Sequence, residues 1–204
     1  MIGAAAWPLE GSLAVDKDVA RLRRGDVDAL AELIARYQNR LYRYLLRLVR
    51  EPAEAEDLFQ QTWLRVAQKI RAFDPSRNFD AWLFTLARNL AIDHLRRIRP
   101  LSLDEPVSGE PFEESRTDRL ISTESLPFDR ALAAERRNRL AQAMERMPAV
   151  YREVLTLRFE EEMKVEEIAQ VIGAPLSTVK TRLRRSLEQL RNYLATRYPG
   201  VDWP

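Results

Sequence analysis

Apolar residues recur at intervals of three and four along most of the chain, the spacing of helices with one buried face. Leu30, Leu33, Ile34, Tyr37, Leu41, Leu45 and Leu48 predict a long helix. Asp26 can cap it, and Glu51-Pro52 ends it because a residue before Pro disfavours helix. A short helix, Asp18–Arg24, precedes it and stops at Gly25. Phe59, Trp63, Val66 and Ile70 form the core stripe of a third helix from about Ala53 to Ile70. Pro75 turns the loop Arg71–Asn78, and a fourth helix from Phe79 to about Ile98 buries Phe79, Leu83, Leu86 and Leu90.

The pattern then fails. Residues 100–130 hold Pro100, Pro106, Pro111 and Pro127 among several Ser and a surplus of acid. Such a segment buries little apolar surface and is expected to be a flexible linker. Helical spacing returns from about Arg130. Val165, Ile168, Ala169 and Ile172 make an i, i+3, i+4, i+7 stripe, and Gly173 can take the left-handed conformation that closes a helix. Pro175 blocks continuation and Ser177 is a good N-cap for a last helix, Thr178 to about Leu194, striped with Val179, Leu183, Leu187, Leu190 and Leu194. Helix, tight Gly turn, helix is a helix-turn-helix. Lys164, at the expected cap of its first helix, is a weaker choice than Ser or Thr, and the acidic "EEEMK" before it must face away from phosphate. No repeat of fixed period is present.

The fold class expected is therefore all-α. Two small helical domains, residues 16–99 and 131–196, would be joined by the acidic linker 100–130. Charge follows the same division. Residues 1–100 carry 17 basic and 13 acidic side chains, residues 101–130 carry 3 and 8, and residues 131–204 carry 13 and 10. Two basic ends around an acidic middle fit two nucleic-acid-facing modules, although the same numbers describe an ordinary surface. Cysteine is absent and His94 is the single histidine, which excludes disulfides, thiolate metal sites and multi-histidine metal sites. No metal or cofactor is expected. The N-terminus has no basic residue before its apolar part, unlike a signal peptide. No apolar run approaches the roughly 20 residues a membrane helix needs, so a cytoplasmic protein without membrane insertion is expected.

Three surfaces carry chemistry. On the third helix, Asp57, Gln60, Gln61, Leu64 and Gln68 lie opposite the core stripe. Amides around an exposed Leu suit a protein interface, and an ordinary wet face is the other reading. On the fourth helix, Trp82, Phe84, Arg88, Asn89, Arg96 and Arg97 lie partly off the ridge. Rings stack on unpaired bases, Arg holds phosphate and amides read base edges, and the loop with Arg77 and Asn78 could form a pocket for an extruded base. The alternative makes Trp82 and Phe84 core and the Arg cluster a complement to the helix dipole. On the last helix, Lys180, Thr181, Arg184 and Arg185 stand away from the stripe near the N-terminus, where a recognition helix meets the major groove. Arg182, on the flank, suits a phosphate.

The stretches "AEDLFQQTWLRVAQKI" and "RNFDAWLFTLARNLAIDHLRR" resemble region 2 of bacterial RNA polymerase sigma factors, and "MPAVYREVLTLRFEEEMKVEEIAQVIGAPLSTVKTRLRRSLEQLR" resembles region 4. Both in this order, covering about 20–98 and 132–195, resemble the extracytoplasmic-function (ECF) group. The resemblance implies that Asp57, Gln60, Gln61 and Leu64 dock on the clamp helices of the polymerase β′ subunit. The family often has Glu where Gln61 stands, so no charge contact is implied there. It implies that the loop Phe73–Phe79, including Arg77 and Asn78, captures a flipped −10 base. Trp82, Arg88, Asn89, Arg96 and Arg97 would hold the −10 element. Ser177, Lys180, Thr181, Arg182, Arg184 and Arg185 would meet the −35 element. The implied partners are core RNA polymerase (β′ clamp helices and β flap), promoter DNA and an anti-sigma factor, and the acidic linker would thread the polymerase cleft. Housekeeping members have a second Trp where Leu83 stands and a folded region 3 in place of the linker; both departures imply the small alternative group and stricter promoter choice.

The function expected is that of an alternative sigma factor without enzymatic activity. A stand-alone helix-turn-helix regulator is the rival, but it leaves the amide face and the acidic linker without a purpose. An enzyme using Asp93-His94 is disfavoured because neighbours on a helix point about 100° apart.

Overall fold

The structure, a computed structural model, describes residues 9–98, 135 and 138–199. The expected linker lies outside the described residues. Every regular element among them is helical, and contacts divide the chain into two units, Met1–Ser102 with Thr156–Leu176, and Leu103–Leu155 with Ser177–Pro204.

In the first unit, α1 spans Leu9–Arg23, α2 Asp28–Val49, α3 Pro52–Lys69 and α4 Phe79–Ile98. The first helix starts well before the expected Asp18, because nothing between Leu9 and Asp18 breaks helix except Gly11, which an early turn tolerates. Arg21 ties α1 to the next turn and helix, reaching Asp26 at 2.8 Å and Glu32 at 3.0 Å. Buried Asp18 is met by Arg36 at 3.3 Å. Asp26 accepts the Asp28 N–H at 3.1 Å from one residue before the N-cap, Val27, whose own side chain makes no cap bond. Arg50, left-handed at φ 65°, ends α2, and Pro52 opens α3, where a missing N–H costs nothing.

α2 packs on α3 and α4, and its buried face is Ala29, Leu33, Tyr37, Leu41, Tyr44, Leu45 and Val49. Tyr37 meets Trp63 and Phe79 at 6.4 and 5.7 Å between ring centres, and Tyr44 meets Phe84 edge-on at 5.0 Å. Of the expected α3 stripe, Trp63, Val66 and Ile70 are buried, and Phe59 alone is corrected. Leu58 and Thr62 are buried while Phe59 is half-buried. Thr62 tolerates the core because its hydroxyl donates to the Leu58 carbonyl at 2.7 Å. On α4, Phe79 and Leu83 are buried as expected, but Leu86 and Leu90 are half-buried, and small Ala81, Ala87 and Ala91 take the inner positions beside Phe84 and Ile92. Alanines let α4 approach its neighbours closely.

The same unit contains a π-helical turn, Thr156–Glu160, and α7, Val165–Ile172, which packs on α4. The weak Lys164 cap is resolved from the other side: Glu167 accepts the Lys164 N–H at 2.7 Å. Gly173, at φ 64°, ends α7 in the left-handed conformation.

In the second unit, residues 138–145 (α5) and α6, Ala149–Leu155, bury Met144, Met147 and Leu155, with Tyr151 and Leu190 packed against them. α8 spans Leu176–Arg197. It begins two residues before the expected Thr178, so Ser177 sits in its first turn and Pro175 immediately precedes it. Its inward positions are Val179, Ser186 and Leu194, with Leu183 and Leu190 half-buried, whereas Leu187, expected in the stripe, is 44% exposed. Ser186 replaces it inside, its hydroxyl donating to the Leu183 carbonyl at 2.8 Å.

Candidate nucleic-acid interface

Three rings build the loop ahead of α4. Phe73 and Phe79 are each 4% exposed and meet edge-on at 5.7 Å, and half-buried Trp82 lies 4.9 and 5.7 Å from them. Phe73 and Phe79 are thus core, and the loop turns Asp74, Ser76, Arg77 and Asn78 outward. Asp74 accepts the Ser76 N–H at 3.0 Å and hydroxyl at 2.8 Å, an Asx-type turn that holds its carboxyl below the usual range. Asn78 caps α4, accepting the Ala81 N–H at 3.1 Å, while its amide donates to Glu167 at 2.8 Å. Arg77 stands exposed, 3.8 Å from Asp74.

Along α4, Trp82, Asn89 and Arg96 recur every seven residues, two helical turns, and so share one line. Asn89, Arg96 and Arg97 are exposed and Arg88 is half-buried. Phe84 is fully buried, so the core reading holds for that ring. On α3, Asp57, Gln60, Gln61 and Gln68 are all exposed, around a Leu64 that is 63% exposed.

On α8, Ser177, Lys180, Thr181, Arg184 and Arg185 are exposed, and Arg182 is half-buried. The first four follow i, i+3, i+4, i+7 spacing and stand opposite buried Val179. Arg184 is 3.9 Å from Glu188, a distance that leaves it free to reach elsewhere.

The acidic run before α7 has partners that its sequence does not reveal. Glu160 pairs with Arg47 at 2.7 Å and Glu161 with Arg40 at 2.8 Å, across 113 and 121 residues of chain. Arg40 also holds Asp80 at 3.0 Å, and Tyr37 donates its hydroxyl to that carboxylate. Burial, joined by the Asp80 charge, pushes the Tyr37 phenol well up. Burial also raises Glu161 above the usual carboxylate range, outweighing the opposite pull of Arg40. No signal within either local stretch could have paired these residues. Among the described residues, no helix is long and apolar enough to cross a membrane.

Comparison with known proteins identifies two matching segments. Residues 33–100 match the model of Sigma-70 region 2 and residues 137–190 that of Sigma-70, region 4. The ECF RNA polymerase sigma factor SigW of Bacillus subtilis (strain 168) is 32% identical over 185 residues, covering 89% of this chain and 97% of that protein. Among solved structures, CnrH in complex with the cytosolic domain of CnrY superposes with a TM-score of 0.63 at 23% identity, over 90% of this chain and 98% of that one. The sigma factor RpoE of Bartonella quintana, in complex with the anti-sigma factor NepR, gives 0.60 at 23% identity, over 80% and 95%. At such identities the two structures speak for the fold.

Proposed function

The chain belongs to the ECF group of RNA polymerase sigma factors, and from that premise we propose how its surfaces divide the work. It is an alternative sigma factor that binds core RNA polymerase and promoter DNA. In our reading, Asp57, Gln60, Gln61 and Leu64 grip the polymerase through its β′ clamp helices, with the β flap as a second contact. Leu64 supplies apolar area and the amides supply hydrogen bonds that tolerate water.

The loop 73–79 and α4 take the −10 element. Arg77 and Asn78 meet an extruded base, Trp82 and Asn89 meet neighbouring bases, and Arg88, Arg96 and Arg97 hold phosphates. Phe73 and Phe79 act from beneath, as the rigid floor of that loop. Unstacking a base costs a few kcal/mol, which binding at this surface offsets. Ser177, Lys180, Thr181, Arg184 and Arg185 face the −35 duplex, with Arg182 on a flanking phosphate. The chain performs no bond chemistry of its own; the polymerase supplies it. It works in the cytoplasm, where polymerase and promoters are. An anti-sigma factor is the regulatory partner we assign, as the Bartonella quintana structure holds one on a protein of this fold.

One observation carries this division: Ser177, Lys180, Thr181 and Arg184 of α8 stand exposed in one stripe opposite buried Val179. Run-off transcription with core enzyme on a randomised promoter library tests it. We expect enrichment of two short motifs at fixed spacing. Absence of any complex with core polymerase at low salt overturns the reading.

A further inference from the structure

Three arginines stand at the end of α1, and the fold treats each differently. Arg21 is engaged by Asp26 and Glu32 at 2.8 and 3.0 Å. Arg24 turns back on its own helix, its Nε donating to the Ala20 carbonyl at 3.1 Å. Arg23 is half-buried, and its Nε is buried with no hydrogen-bond partner among the described residues. α1 packs on the 3-10 turn Ile70–Ala72, which runs directly into the loop 73–79. Phe73 closes that turn, its N–H donating to the Ile70 carbonyl at 3.1 Å. The charge of Arg23 reaches the loop. Asp74, whose carboxyl is held low first by its bonds from Ser76, is lowered further by Arg77 and by Arg23. Arg23 thus acts on the loop by charge and keeps bonding capacity in reserve.

A base drawn out of the stack brings its own phosphates to the loop that receives it. Asp74 is needed for the shape of that loop, because it accepts from the Ser76 N–H and hydroxyl. The same carboxylate repels a phosphate arriving there. Arg77, 3.8 Å away, offsets that negative charge. Arg23 is a second cation, so Asp74, Arg77 and Arg23 together keep one positive charge to spare. A guanidinium presents a planar set of donors that matches phosphate oxygens, and a half-buried one loses less freedom on binding than an exposed one. Arg23 lies outside residues 33–100, the segment that matches Sigma-70 region 2.

We propose that Arg23, on the last turn of α1, holds a backbone phosphate of the strand whose extruded base enters the loop 73–79. This rests on the assignment of that loop to the −10 element. It widens the single-strand surface from the loop and α4 to the end of α1.

Core polymerase loaded with the full chain tests the proposal on a duplex DNA bearing a single-stranded tail of mixed sequence. Binding is read against the same duplex without a tail. In a second series the tail carries a neutral methylphosphonate at one linkage at a time. Arg23→Ala should weaken tail binding roughly three- to tenfold and lower its salt slope by about 0.7. The parent should show a similar loss when one particular linkage is neutral, and Arg23→Ala should lose nothing more at that linkage. The effect of Arg23→Ala should persist in an Asp74→Asn background. Amide hydrogen exchange in α1 is the control for folding, and should Arg23→Ala loosen α1, Arg23→Gln carries the same test. If Arg23→Ala stays sensitive at every linkage that matters to the parent, the proposal is overturned. An effect that vanishes with Asp74→Asn overturns it too, since Arg23 then only screens that carboxylate. Arg77→Ala separates this proposal from the assignment beneath it. Where Arg77→Ala weakens tail binding and Arg23→Ala does not, the loop keeps its assignment and the role of Arg23 falls. Where neither variant changes tail binding, the assignment of the loop falls and takes the role of Arg23 with it.

Discussion

Residues 73–79 present polar groups on a loop propped by buried rings and fixed by its own hydrogen bonds. Residues 177–185 present theirs on a plain helix, where Lys180, Arg184 and Arg185 are exposed and Arg182 is half-buried. The first arrangement loses little entropy on binding and suits a single extruded base, which must be met in one geometry. The second keeps long flexible cations that settle onto whichever edges and phosphates a duplex provides. The contrast teaches that the shape of the loop depends on the core beneath it, whereas the surface of the helix depends on its own side chains.

The largest effect expected comes from removing that core. Phe84→Ala should lower the unfolding free energy by about 3–5 kcal/mol in chemical denaturation, because a fully buried ring leaves a cavity. Loop and polymerase functions should fail together in that variant. If single-strand binding survives while stability falls, the loop does not lean on the core and the contrast breaks. Arg184→Ala with Arg185→Ala should weaken −35 duplex binding by roughly 10- to 100-fold and flatten its salt dependence, with thermal stability and polymerase affinity unchanged. A loss of polymerase binding there would undo the division of labour. Gln60→Ala with Leu64→Ala should do the reverse, cutting core polymerase affinity by roughly tenfold in a titration while sparing DNA.

The smallest expected effect is a pH dependence in the unit that carries the loop. Glu161 has its pKa raised in the folded state, so the folded form takes up the proton first. Its contribution to stability is present below the ordinary carboxylate value and is lost as pH rises through the raised one. Glu161→Gln, which stays neutral, should remove this component. The denaturation midpoint of the variant relative to the parent should therefore climb as pH rises above the ordinary carboxylate value. A constant difference would show that Arg40 fully compensates the buried charge.

Much of this was legible in the chain because helices are written in short-range spacing. The stripe through Leu33, Tyr37, Leu41 and Leu45 placed α2, and Gly173 marked the turn between α7 and α8. The exposed faces of α3 and α8 followed from the same angular arithmetic. Where the reading slipped, a local rule lost to a non-local one. Ser177 was read as a cap, yet the helix starts at Leu176 behind Pro175. Leu187 and Ser186 exchanged places because a Ser that bonds its own helix backbone can be buried. Phe73, which the resemblance sets in a base-capturing loop, is floor beneath it, because Phe79 and Trp82 enclose its ring. The ion pairs of Glu160 and Glu161 were illegible for a simpler reason. Their partners stand more than a hundred residues away, and nothing in "EEEMK" names them.

The π turn at Thr156–Glu160 makes chain length in that stretch a variable that cannot drift. Its wider winding accommodates one residue beyond what an α turn needs. Deleting a single residue there would rewind the stretch and swing the following carboxylates by about 100°, off Arg40 and Arg47, which they now meet. Point substitutions in this segment alter one contact each, but an insertion or deletion would shift the phase of all of them at once.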